Sequence, residues 1–322
     1  MNNDLLRELR NLTAAGMKDC KDALEEAGGD LQKAVDIIKV KGLNIVSARA
    51  GKVAAEGLID IVSFAPSRVS MVEVNCQTDF VANSQDFRVF VHNTGIRLAA
   101  CAEEGHPFSA DLMEAKRQEV VATTKENVVV RRWWLEEAMD PKVRVFSYLH
   151  SNQKIGVLIT MSAPSEIAAD SPEFKALGED LAMQICAMNP LAVSPERISP
   201  DETERQKAIF ETQLKEENKP EKMWDKILQG KFSKWYKDVC LLEQESVVVA
   251  KTTVKQVIAN LGTKLGGDIE VINFVRCQVG EGIANKKDDL AEEVAKMTGI
   301  TRAETPTDAF IRHVADKMKG AS

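Results

Sequence analysis

The sequence carries no G-x-x-x-x-G-K-[ST] loop to cradle phosphates, no G-x-S-x-G elbow, and no C-x-x-C or H-x-x-x-H pair. Those absences remove the usual signatures of P-loop nucleotide hydrolysis, of α/β-hydrolase chemistry and of zinc or dithiol redox sites. "VGEGIAN" offers G-x-G without the third glycine of a dinucleotide loop, so Gly280 and Gly282 read as turn residues. The histidines His92, His106, His150 and His313 are far apart, and no acidic pair stands out for acid–base work. No catalytic residue, metal or cofactor is therefore expected. No apolar run approaches the about 20 residues that cross a bilayer, and the polar start is unlike a signal or transit peptide. Positive charge is not in excess: the net charge is −7, which argues against broad binding to nucleic acid or membrane. Six scattered cysteines are expected to be buried free thiols in a reducing compartment, with the protein cytoplasmic or a processed organellar form.

Ordinary globular patterning is present instead. Residues 1–42 read as three short helices, with Leu5, Leu9 and Leu12 on one face of the first and Cys20, Ala23, Leu24 and Ala27 on the second. Asp30 is placed to cap the third, and Gly42 to end it before a linker, "NIVSARAGKVAAEG". From Gly57 the period becomes two. "GLIDIVSFA" and "RVSMVEVNC" predict a hairpin, followed by a helix with Phe87, Phe90, Val91 and Leu98 on one side. A helix over 111–126 and a strand "NVVVRRWW" come next, its tryptophans partly packed and its arginines exposed. "VRVFSYLH" and "KIGVLITMS" form a second hairpin, and Phe174, Leu177, Leu181, Ile185 and Met188 mark the helix after it. Residues 201–237 predict an antiparallel helical hairpin, coiled-coil-like, whose first arm is too polar to be core. A helix with Val254, Val257, Ile258 and Leu261, the strand "DIEVINFVRCQVG", and helices at 288–298 and 305–319 complete the chain.

The two hairpin–helix units read as copies. At an offset of 87 residues Phe87 falls on Phe174, Ser84 on Ser171 and Asp79-Phe80 on Glu166-Ile167. This predicts an α+β fold with a duplicated core of antiparallel sheets and packed helices. Phe80 itself sits in a polar loop, "NCQTDFVANS", after a strand. Periodicity leaves two readings even: a plug that caps the end of the sheet, or an anchor for another molecule.

A resemblance separates them. "LRELRNLTAAGMKDCKDALEEAGGDLQKAVDIIKVKG" closely resembles the opening of the bacterial elongation factor Ts family, and "EVNCQTDFVA" resembles the loop that family sets against its partner. "KENVVVRR", "KIGVLI" and "FVRCQVGEGI" match further segments in the same order, over about residues 4–298. The chain departs from the pattern at Ala14 and Lys18, and "LLEQESVVV" lacks the Pro-Phe expected after its glutamine.

The resemblance implies a guanine-nucleotide exchange factor for elongation factor Tu, bound in its GDP-loaded and nucleotide-free states, and not an enzyme. It implies a ubiquitin-associated-like domain over 1–54, core halves at 55–142 and 143–200, a helical-hairpin insertion at 201–237, a return of the core at 238–283 and a C-terminal module at 284–322. Thr78, Asp79, Phe80 and Val81 match the wedge placed near the GTPase magnesium site. Arg10, Met17 and Lys21 match N-terminal contacts, and Val128, His150 and Val247 match further contacts. Ile167, outside the family's wedge, is expected to matter mainly for stability. The hairpin is expected to mediate dimerisation, as a homodimer or a 2:2 complex, or to touch another part of the GTPase. The rival reading is a diverged binding or chaperone scaffold without exchange activity.

Overall fold

The computed structural model describes residues 3–13, 15–65 and 67–283. Helices α1 (Asn3–Thr13), α2 (Met17–Glu26) and α3 (Leu31–Arg49) lead the chain. Leu9, Cys20, Ala23, Leu24, Ala34 and Ile38 form their shared core. Leu12 is 63% exposed, so the face of α1 turned inward is Leu5, Leu6 and Leu9. Gly28 and Gly29 stop α2 at positive φ, and the Asp30 carboxylate accepts from the Lys33 amide at the start of α3.

Gly42 does not end α3, which continues to Arg49 through the stretch expected to be linker. Tertiary packing overrides the glycine: Gly42 is buried facing Ala122, and Ile45 and Val46 join the core beyond it. Packing of α3 on α6 (Glu114–Thr124) outweighs the glycine cost of about 1 kcal/mol.

Two three-stranded antiparallel sheets follow. The first has the order β1 (Glu56–Ala65), β2 (Arg68–Cys76), β3 (Val129–Glu137), and the second β4 (Val143–Leu149), β5 (Ile155–Ser162), β6 (Glu270–Gln278). Between β2 and β3 lie α4 (Asp79–Ala82), α5 (Gln85–Glu103) and α6; between β5 and β6 lie α7 (Glu166–Ala169), α8 (Pro172–Met188), α9 (Pro200–Glu216), α10 (Trp224–Val239) and α11 (Val254–Leu265). The period of two sorts each strand's side chains. Val72 and Val74 face α5 and α6, whereas Val69 and Met71 face the other sheet, against Val145 and Leu158. Val157, Ile159 and Met161 turn from β5 to α8 and α11. The order through the core is helix, sheet, sheet, helix, and β5, covered on both sides, is buried without alternation.

Both sheets carry the same irregularity. The register of β2 with β3 shifts between Glu73 and Val74, leaving Arg131 as the extra residue. That of β5 with β6 shifts between Thr160 and Met161, leaving Ile272 extra. Thr160 and Met161 stand 87 residues after Glu73 and Val74, the offset that aligns the helices, so the backbone supports the duplication independently of the side chains.

The bulge has a consequence in the first sheet. Successive strand residues normally point to opposite faces, but here Arg131 and Arg132 both reach Glu73, whose side chain has no exposure. The Gly280 amide and the Asn75 side chain also donate to Glu73, at 2.8 and 3.1 Å. Gly280 has φ 73°, and a Cβ there would overlap the Ala55 carbonyl, so only glycine can bring that amide in. The arginines read as exposed are thus structural; Arg132 also lies over Trp134, while Trp133 packs edge-on to Phe108.

Helices α9 and α10 form the expected hairpin, with Phe210, Leu214 and Leu228 buried between them and Ile209 and Met223 left exposed. Met188, at the end of α8, is 44% exposed and outside the core stripe its spacing suggested. The expected helices at 288–298 and 305–319 lie outside the described residues. No helix among the described residues is long and apolar enough to cross a membrane.

Burial alone would push the Glu73 carboxyl up, but the Gly280 amide, Arg132 and Asn75 outweigh it and hold it below its ordinary value. Its stabilisation is therefore complete above the unfolded carboxylate value of about 4.3 and is lost as pH falls through the lower folded value. Glu73→Gln should cost about 3 kcal/mol in urea unfolding at pH 7, the low end for a broken buried pair because the arginines keep some water. Its stability should also fall less steeply than the parent's below pH 5; parallel acid limbs would refute the assignment.

Candidate partner-binding site

The sequence after β2 turns into α4 because Thr78 caps it: its hydroxyl accepts from the Val81 amide. One helical turn follows, and Ser84 caps α5 in the same way. Four residues then divide by position. Ala82 is buried and Val81 packs on the core beneath, while Asp79 and Phe80 point to solvent. Phe80 is 84% exposed, so it is not a plug for the sheet. The Asp79 carboxylate has no partner among the described residues.

The exposed turn is fixed at both ends. At its start, the Glu126 carboxylate accepts from the Gln77 amide (3.0 Å), the Thr78 amide (3.0 Å) and the Thr78 hydroxyl (2.6 Å). At its end, the Asn83 side chain donates to the Asp79 carbonyl, and Arg88 bridges Asn83 to Gln153 in the β4–β5 turn. Beneath it, Cys76 places its thiol 3.2 Å from the Thr78 carbonyl.

The remaining candidates are dispersed. His150 lies in the β4–β5 turn that Arg88 reaches, its Nδ1 3.1 Å from Asn152 Oδ1. Arg10, Met17 and Lys21 are all exposed on α1 and α2; Met17 and Lys21 stand one turn apart on α2. Val247 is 48% exposed beside Val248 and Val249, with its amide held by Gln184. Val128 corrects the expectation of an exposed contact: its side chain is fully buried in the core under α5 and α6. It stands just before β3, after Asn127, whose side chain donates to the Lys52 carbonyl, and lies on the face turned to the helices. Ile167 departs from expectation in the opposite sense. It is 88% exposed, mirroring Phe80 on α7, so it cannot be a core residue.

The residues 77–281 match the family model described as Elongation factor TS. The chain is 39% identical over 301 residues to the elongation factor Ts of Clostridioides difficile, covering 91% of this chain and 97% of that one. The elongation factor Ts of Symbiobacterium thermophilum is 38% identical, with 92% and 97% covered, and that of Nautilia profundicola 38%, with 90% and 96% covered. The chain belongs to the elongation factor Ts family. Its function is that family's: guanine-nucleotide exchange on elongation factor Tu, by binding and without covalent chemistry.

Glu126, Asn83 and Arg88 carry no signal of their role in the sequence. Their partners are distant in the chain or lie across a turn, and no periodicity marks a residue whose role is to hold backbone amides. In sequence, the Glu126 carboxylate in "KENVVVRR" is indistinguishable from a solvated one.

The thiol under the turn is chemically silent. Burial pushes Cys76 up to about 12, with Glu126 adding to the rise; Cys277, buried beside Glu73, is also pushed up to about 12. Iodoacetamide at pH 8 should leave both unlabelled in the native protein and modify both in denaturant. Rapid native labelling of Cys76 would show that the base of the turn opens to solvent.

Proposed function

We propose that this chain drives GDP release by seating Phe80 in a pocket near the magnesium site of elongation factor Tu, with Asp79 beside it. The observation that carries the reading is a large aromatic ring 84% exposed on a turn whose backbone is held from both ends. An exposed ring on a mobile loop would lose ordering entropy on binding; here most of that entropy is already lost before the partner arrives.

An exchange factor must bind the nucleotide-free GTPase better than the loaded one, and by linkage GDP weakens it by the same factor. Burying Phe80 only in the distorted site gains about 1.5–3 kcal/mol, which is roughly one to two decades of coupling. The Asp79 carboxylate, without a partner among the described residues, adds an anion where the GTPase holds Mg²⁺ and so competes with the metal's ligands and waters.

The helices α1–α3 act as the docking module, with Arg10, Met17 and Lys21 as a mixed charged and apolar patch, in the manner of a ubiquitin-associated-like domain. Because α3 packs on α6, that module is joined to the core rather than loosely tethered. His150 supplies a contact flanking the wedge, and Val247 a more distant one. The helical hairpin serves dimerisation or a separate contact. Six buried free thiols fit a reducing cytoplasm.

Phe80→Ala should slow release of fluorescent GDP from elongation factor Tu by about one to two decades while leaving the melting temperature unchanged. Ile167→Ala, equally exposed, should change neither quantity. A Phe80→Ala protein that exchanges at the parental rate would reject the wedge.

A further inference from the structure

The duplicated core contains its own control for the wedge. Counting back from the bulged residues, Lys125 and Gly266 stand six residues before Arg131 and Ile272, and both adopt the left-handed conformation, at φ 58° and 85°. Five residues before the bulge the first copy has Glu126 and the second Gly267. Across from them, at the helix offset, Gln77 and Thr78 correspond to Pro164 and Ser165.

The chemistry at these equivalent places differs. In the first copy a carboxylate accepts two amides and a hydroxyl at the start of α4. In the second copy Pro164 has no amide hydrogen, and a Cβ on Gly267 would come 2.8 Å from the Pro164 ring, so no side chain can enter. Yet α7 forms with the same cap as α4: the Ser165 hydroxyl accepts from the Ala168 amide as Thr78 accepts from Val81. The turn therefore folds without the carboxylate. What the clamp adds is confined to the copy that carries Asp79-Phe80.

We propose that Glu126 is a positioning residue for nucleotide exchange, holding Thr78 so that Asp79 and Phe80 meet the GTPase in a fixed orientation. The proposal rests on the wedge reading of Phe80. Glu126 is itself presented from an anchored turn: Asn127 is 5% exposed and donates to the Lys52 carbonyl at 2.8 Å, and Lys125 pairs with Asp19 of α2. The exposed Lys125–Asp19 pair contributes little, so the buried amide of Asn127 is the firmer support. Charge-assisted bonds from a preorganised carboxylate hold backbone better than neutral ones.

The test uses the full chain and elongation factor Tu loaded with fluorescent GDP, comparing Glu126→Ala, Glu126→Gln, Phe80→Ala and the Glu126→Ala/Phe80→Ala double variant. Glu126→Ala should slow GDP release about tenfold, the scale of a small misplacement of an interacting group, with near-parental melting. Glu126→Gln should recover most of the rate, because an amide oxygen still accepts the two backbone donors. Amide hydrogen exchange at Gln77 and Thr78 should quicken in the Ala variant and much less in the Gln variant. In the Phe80→Ala background, Glu126→Ala should add less than about twofold, since its effect acts through the absent ring. A slow Phe80→Ala beside a normal Glu126→Ala overturns this proposal alone, as does a full additional loss in the double variant. A Glu126→Ala protein that melts far earlier but exchanges normally while folded also overturns it. Phe80→Ala at the parental rate overturns the wedge and this proposal together.

Discussion

A carboxylate sealed from water, Glu73, is accommodated where five separate groups meet on it. Two arginines arrive from β3 because a bulge turns both to one side, an asparagine from its own strand, and an amide and a thiol from the chain that returns as β6. The first sheet is thereby tied to the last strand of the second, across most of the chain length. Apolar contacts between the sheets, through Ile59, Met71 and Leu158, are tolerant of small slips. Ion pairs and hydrogen bonds to one buried group are not, because an unpaired buried charge costs several kcal/mol. This interaction sets the relation of the two halves, and through β2 it sets where the loop after Cys76 emerges.

The two hairpin–helix units share one scaffold, but they diverge in what stands behind their equivalent turns. Both α4 and α7 hold out an acid followed by an apolar residue, and both are capped by a hydroxyl. Exposure alone therefore does not distinguish them. The distinction lies behind the turn, in a carboxylate on one side and a glycine pressed against proline on the other. A turn that only closes a sheet end needs a cap; a turn that must present a side chain to a partner also needs its backbone orientation fixed.

Periodicity made much of this fold legible: the strand alternation, the α5 and α8 stripes with Phe87 and Phe174 at their centres, and the helical hairpin all follow from spacing. The duplication was visible as a short match and gained its stronger support from the paired bulges, which no side-chain pattern encodes. Local pattern misleads where a long-range partner decides the outcome. Gly42 continued its helix because Ala122 lay opposite, and the arginines of "VVVRRWW" turned inward because Glu73 waited there. Val128 belongs to a run of three valines in which alternation should place every second side chain inside. The register that chose Val128 and Val130 for the core is set by β2 and not by the run itself. Phe80 was undecidable from its own neighbourhood, since a ring in a polar loop is equally a plug or an anchor until its exposure is known.

The two fixed ends of the wedge also bear on why its exposure is tolerated. A ring in water forgoes about 1.5–3 kcal/mol that burial would bring, so a free loop would tend to fold Phe80 back onto the nearest apolar surface. Val81 and Ala82 already occupy that surface, and the bonds from Glu126 and Asn83 leave the backbone little freedom to rotate the ring inward. Holding the backbone thus does two things with the same bonds. It prevents collapse of the anchor in the free protein, and it removes from the binding step the entropy that ordering the loop would cost. Binding energy from Phe80 is then available for distorting the partner's site rather than for organising this one.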